Sequence, residues 1–165
     1  LLSEFAEKGL LCRLSKGIYY KPVMTKFGVL MPNVQELVKA IARRDNAQVL
    51  PTGETAANLL GLSTQVPMNY VYLTSGSARK IMVGKKTVSF KRCVPKNFAC
   101  QSEFLAVLIQ AMKAIGQDRL ADEHCVVIKG LLMKHLPIES LDADMKNAPL
   151  WVRRMVYNII KEIGV

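Results

Sequence analysis

The chain has 165 residues, a formal net charge of +10, and 50% hydrophobic against 22% charged residues. That length and apolar content support a packed core in one or two domains and exclude a disordered chain. No apolar run approaches the ~20 residues of a membrane span, and a start carrying Glu4 and Glu7 without a cleavage-like tail argues against a signal peptide. The expectation is a soluble, cytoplasmic protein.

In chain order, Leu1 to Lys8 reads as the end of a helix, with Leu1, Leu2 and Phe5 apolar and Gly9 as its stop. Leu10 to Pro22 then reads as a hairpin. Leu11 to Leu14 and Ile18 to Lys21 are its arms, and Ser15-Lys16-Gly17 is the turn, with Gly17 free to take positive φ. Arg13, Lys16 and Lys21 can share one solvent-facing ribbon. A helix, a glycine, a basic hairpin and a proline are how a winged helix-turn-helix ends. Residues 1–22 are therefore expected to be the C-terminal end of such a domain, its earlier helices preceding Leu1. Residues 23–32, punctuated by Thr25, Gly28 and Pro32, read as a linker to a second, α+β domain over 33–165.

That second domain opens with Asn33 as N-cap and Glu36 in capping-box position. Val34, Leu37, Val38, Ile41 and Ala42 form the buried face, and Arg43 and Arg44 suit the helix C-terminus. Gln48 to Leu50 is a short strand, Pro51-Thr52-Gly53 a turn, and Glu54 to Leu60 a helix of small residues stopped by Gly61. Gly53-Glu54-Thr55 is no phosphate cradle, since Glu54 would repel phosphate and no Gly-x-x-x-x-Gly-Lys pattern is present.

Tyr70 to Thr74, Arg79 to Val83 and Lys86 to Arg92 read as a meander, giving a small antiparallel sheet. Ile81, Val83, Val88 and Phe90 would be buried, with Thr87, Ser89 and Lys91 outward. Between Thr55 and Ser102 there is no acid, so Arg79, Lys80, Lys85, Lys86, Lys91 and Arg92 make a candidate second polyanion-contacting surface. The plainer alternative is a solvated sheet whose lysines defend its edges.

From Ser102 the chain turns helical. Phe104, Leu108, Met112 and Ile115 form one stripe. Asp118 is read as the cap of a helix carrying Leu120, Val127, Leu131 and Leu132. A short acidic helix lies within Ile138 to Asn147, and Pro149 starts a last helix with Trp151, Val152, Met155, Val156, Ile159 and Ile160 inward. Asp142 and Asp144 are taken as a solvated acidic face, and His124 as a partly buried helix residue.

Cys12, Cys93, Cys100 and Cys125 show no Cys-x-x-Cys spacing, and His124 and His135 complete no ligand pattern. Free buried thiols, no metal and no cofactor are expected. No catalytic constellation stands out, so no catalytic residue is assigned and the protein is not expected to be an enzyme. There is no internal repeat.

Three stretches carry a family resemblance: Gly9 to Pro22; Pro51-Thr-Gly-Glu-Thr-Ala-Ala-Asn-Leu-Leu-Gly-Leu-Ser-Thr-Gln-Val-Pro67 with Tyr72-Leu-Thr-Ser-Gly76; and, more loosely, Phe90 to Arg92. They resemble the AbiEi-like antitoxin family of type IV toxin–antitoxin systems, over the first two-thirds of the chain. The resemblance implies a winged helix-turn-helix that binds operator DNA and represses its own operon. It also implies a C-terminal domain that counters a nucleotidyltransferase-like toxin. On it, Arg13, Ser15, Lys16 and Lys21 match the wing, and Ser3 and Lys8 fall on the end of the recognition helix.

The first expectation is thus a DNA-binding regulator and antitoxin, with operator DNA and a cognate toxin or its targets as partners. The alternatives are a protein-interaction module using the acidic helical half, and an enzyme on nucleic acid built from Lys91 and Arg92 near Glu54 and Asp45.

Overall fold

The computed structural model describes residues 1–164. It is a mixed α+β structure with a helical C-terminal part. Helix α1 (Leu2–Glu7) ends as expected: Gly9 takes φ +72°, its N–H bonds Ala6 O, and Leu10 N–H bonds Phe5 O, both at 3.0 Å. Strands β1 (Cys12–Ser15) and β2 (Ile18–Tyr20) form the first hairpin, with a bulge between Arg13 and Ser15 and Gly17 at φ +72°.

The expected linker is instead a second hairpin. β3 (Val23–Thr25) pairs with β4 (Gly28–Leu30) across a Lys26–Phe27 turn. Thr25 and Gly28 close that turn: the Thr25 hydroxyl donates to Gly28 O at 2.8 Å and accepts Phe27 N–H at 3.2 Å. Val-Met-Thr and Gly-Val-Leu are runs that favour strands; the Thr and Gly between them are hairpin chemistry.

α2 (Val34–Arg44) starts at Asn33, whose side chain accepts the Gln35 N–H at 2.8 Å, and buries Val34, Leu37, Val38 and Ile41. β5 (Val49–Pro51), α3 (Glu54–Leu59), β6 (Asn69–Thr74), β7 (Arg79–Val83) and β8 (Lys86–Arg92) follow. The sheet order is β5-β6-β8-β7. Both outer pairs are antiparallel, but β8 lies between β6 and β7 and runs parallel to β6, so the three strands are not a meander.

The cause is at the end of β6. Ser75 N–H bonds Gln48 O at 3.0 Å, the Ser75 hydroxyl accepts Gln48 N–H at 2.8 Å, and a Cβ on Gly76 would sit 3.0 Å from the Ala47 Cβ. The chain is held against the β5 side there, which disfavours an immediate turn back onto β6. Residues 75–78 step across one strand position instead, and β8 fills the gap.

Two cores result. On one face of the sheet, Tyr72, Ile81, Val83, Val88 and Phe90 pack with the α2 face and with Ile18 of the first hairpin. The second core is helical: α4 (Glu103–Ile115), α5 (Asp122–His135), α6 (Leu141–Met145) and α7 (Leu150–Ile163) close around Leu105, Leu108, Met112, Ile128, Leu132 and Val152. Thr87, expected outward, is buried, its hydroxyl 3.3 Å from Met82 Sδ. Asp118 lies in a 3₁₀ turn (Gln117–Arg119) and does not cap α5. His124 does part of that work, its Nδ1 accepting Ala121 N–H at 3.0 Å. The four cysteines are free and half-buried. Among the described residues no helix is long and apolar enough to cross a membrane.

Candidate nucleic-acid interface

The first hairpin is anchored at its turn and at one buried side chain. Ile18 is 6% exposed and sits in the sheet-side core. Arg44, at the C-terminal end of α2, donates from Nη1 to Gly17 O at 2.9 Å and from Nε to Asp45 Oδ1 at 2.8 Å. Asp45 Oδ2 takes Arg79 Nη2 of β7 at 2.6 Å. Turn, helix end and sheet edge are thus tied through one carboxylate. The Arg44 hydrogen bond, with the charge of Arg79 and Arg44 beside it, holds the Asp45 carboxyl below its ordinary value against the opposing effect of burial.

That scaffold presents Arg13, Lys16 and Lys21 to solvent. Arg13 makes only a long 3.4 Å bond to Ser15 O, and Ser15 itself is half-buried in the bulge. Ser3 and Lys8 lie exposed on and just after α1.

The expected second surface is divided. Strand pairing puts Lys80 opposite Ser89 and Lys91 opposite Leu73, on one face of the sheet. Arg79, Lys86 and Arg92 belong to the opposite face, and Lys85 is in the β7–β8 turn. Arg79 is engaged by Asp45, and the Lys86 ammonium stands 5.7 Å from the Tyr70 ring centroid. What the structure does bring together is Lys21, Lys85 and Lys86, which line one cleft between the second hairpin and the β7–β8 turn.

The residues missed by sequence reasoning are acids. Asp45 was weighed only as part of an enzyme site, yet both its carboxylate oxygens are taken by arginines. Asp144 is 1% exposed; its carboxylate accepts Gln101 N–H at 2.7 Å and Ser102 N–H at 2.9 Å and so fastens the start of α4. Asp142 accepts the Tyr157 hydroxyl, and that bond, with burial, raises the phenol. Of the acidic face expected there, Asp142 and Glu139 are exposed, but Asp144 is enclosed and does not belong to it. Residues two apart on a helix do not share a face, and this spacing was the available signal.

Elsewhere, α5 and α7 flank a groove of about 820 Å³ lined by Val126, Leu150, Trp151 and Met155, with Lys129 and Glu162 paired at 3.5 Å. Among the described residues no three His, Cys, Asp or Glu side chains lie close enough together to hold a metal ion.

The fold and this surface define a mixed α+β protein with a basic, twin-hairpin end. Residues 1–141 match the Family of unknown function (DUF6088), and the chain belongs to that family. The match runs from α1 to the first residue of α6 and so takes in both hairpins and the whole sheet. No curated protein and no solved structure matches the chain.

Proposed function

We propose that the protein is a DNA-binding transcriptional regulator, with α1 as the end of a recognition helix and the first hairpin as its wing. We propose further that it is the antitoxin of a two-gene module whose toxin is nucleotidyltransferase-like. The observation that carries the DNA reading is the first hairpin. Arg13, Lys16 and Lys21 are exposed, and none of them is in an ion pair among the described residues. On a ribbon anchored by Ile18 and Arg44 they serve as phosphate contacts, which position a protein on a duplex without reading bases.

The test is binding of the protein to its own promoter duplex across a salt series. Three phosphate contacts predict log K falling with log salt at a slope of about −2.7 or steeper, and replacing Arg13 and Lys16 together by Ala should flatten it by about 1.8. A salt-insensitive complex, or one unchanged by the double substitution, would remove the hairpin from the reading. A protein that binds no duplex but copurifies with the product of a neighbouring gene would replace the reading with a protein-interaction module. The α5–α7 groove is the surface for that role.

A further inference from the structure

The second hairpin is not used by the wing reading, and the cleft beneath it shares only Tyr20 and Lys21 with the first hairpin. The hairpin is apolar and outward on both sides: Met24 is 73% exposed, Phe27 is 89% exposed, and Val23, Val29 and Leu30 are exposed as well. Its tip is held by the paired hydrogen bonds of Thr25, and the Lys26 ammonium lies 5.0 Å from the Phe27 ring centroid. Beneath it, a cleft of about 980 Å³ runs to the β7–β8 turn. Met31, at the base of the hairpin, lies against that turn, with its Cγ 3.5 Å from where a Cβ on Gly84 would be.

The lining combines two chemistries. Lys21, Lys85 and Lys86 supply positive charge, against Glu36 as the acid on the wall. Tyr20 and Tyr70 supply aromatic surface, both half-buried. Burial and the neighbouring Cys12 raise the Tyr20 phenol, so it stays neutral and adds no negative charge to the cleft.

Cations from two places in the chain, aromatic rings on the same lining and a concave shape are the ingredients of single-strand recognition. Phosphates follow the charge and bases stack on the rings. A second copy of this chain would bring the same positive charge to the same place, so charge complementarity favours a polyanion.

We propose that this cleft binds a single-stranded nucleic-acid segment, with its backbone on Lys21, Lys85 and Lys86 and its bases against Tyr20, Tyr70 and the apolar hairpin. The cleft shares Lys21 with the wing, but Arg13 and Lys16 belong to the wing alone and Lys85 and Lys86 to the cleft alone, so the two readings can fail separately.

The experiment measures fluorescence anisotropy of the full chain with a labelled twelve-nucleotide oligothymidylate, competed by a duplex of the same length and by heparin. Lys85→Glu with Lys86→Glu should weaken oligothymidylate binding by about tenfold or more, and should reduce the salt slope by about 1.4. Lys85 is exposed and Lys86 half-buried over the Tyr70 ring, so a thermal melt checks that the fold is kept. Tyr20→Ser should weaken oligothymidylate and leave heparin binding unchanged, since heparin has no bases to stack. Arg13→Ala with Lys16→Ala should leave oligothymidylate binding intact while lowering duplex binding.

Equal competition by duplex and single strand, or equal loss of heparin and oligothymidylate on Tyr20→Ser, overturns the proposal in favour of a general polyanion surface. No oligothymidylate binding at low salt overturns it outright.

Discussion

Residues 1–32 and the α4–α7 region are built on opposite terms. The first 32 residues make one helix and two hairpins but contribute a single buried hydrophobic side chain, Ile18. The helical region buries Leu105, Leu108, Met112, Ile128, Leu132, Met145, Val152 and Val156 to within 2% of full enclosure. One region holds its shape by hydrogen-bonded turns and one anchor, the other by packing. The lesson is that exposed apolar area collects where little core depends on it.

Two truncations of similar size break or sharpen that contrast. Leu108→Ala removes a fully enclosed side chain and should cost about 3 kcal/mol, read as a lower urea midpoint with lost exchange protection throughout α4 to α7. Ile18→Ala should cost about 2 kcal/mol and act locally. Amides of β1 and β2 should exchange faster while those of α4 keep their protection. Uniform loss of protection in both variants would mean that the hairpin and the helical region unfold as one unit.

An effect of the same order as at Ile18 is expected at Asp144. Asp144→Ala leaves the Gln101 and Ser102 N–H groups without their acceptor in an enclosed place, at about 2 kcal/mol, with the lesion at the start of α4. A thermal midpoint unchanged within error would show that water replaces the carboxylate there.

How much of this was legible in the sequence depends on range. Local chemistry was read well: Gly9 as a helix stop, Gly17 as a positive-φ turn residue, Asn33 as a cap, and the strands over 79–83 and 86–92 within their observed bounds. What failed was non-local. Nothing in Ser75–Ala78 announces that it is pinned to Gln48, so the parallel β6–β8 pair was invisible. Thr25 and Gly28 are equally at home in a linker and in a hairpin, and only the Val23–Leu30 pairing decides between them. The candidate interface was half legible. Exposed lysines were found by composition, but the proximity of Lys21 to Lys85 and Lys86 comes from the way α2 folds the hairpins back onto the sheet. The acids hid because their partners, Arg79 for Asp45 and Gln101 for Asp144, stand more than thirty residues away.

The smallest predicted effect probes the tie between the first hairpin and the sheet. Asp45 accepts from Arg44 and Arg79, and Arg44 also holds Gly17 O, so neutralising one carboxyl loosens both α2–sheet and α2–turn contacts. Its folded pKa lies below the unfolded carboxylate value near 3.8. The stabilisation is therefore fully present above that unfolded value and disappears as pH falls through the lower, folded one. With Asp45 and Arg79 each partly exposed, water screens the pair and the loss should be about 1 kcal/mol or less. Asp45→Asn at neutral pH should reproduce the acid effect: faster exchange at the Lys16–Gly17 turn and a small drop in thermal midpoint, with α4 unaffected. Duplex affinity should fall with it if the turn must be held for Lys16 to reach phosphate. If exchange at the turn is the same in Asp45→Asn and wild type, Ile18 alone orients the hairpin, and the arginine–carboxylate chain is a surface feature without consequence for the interface.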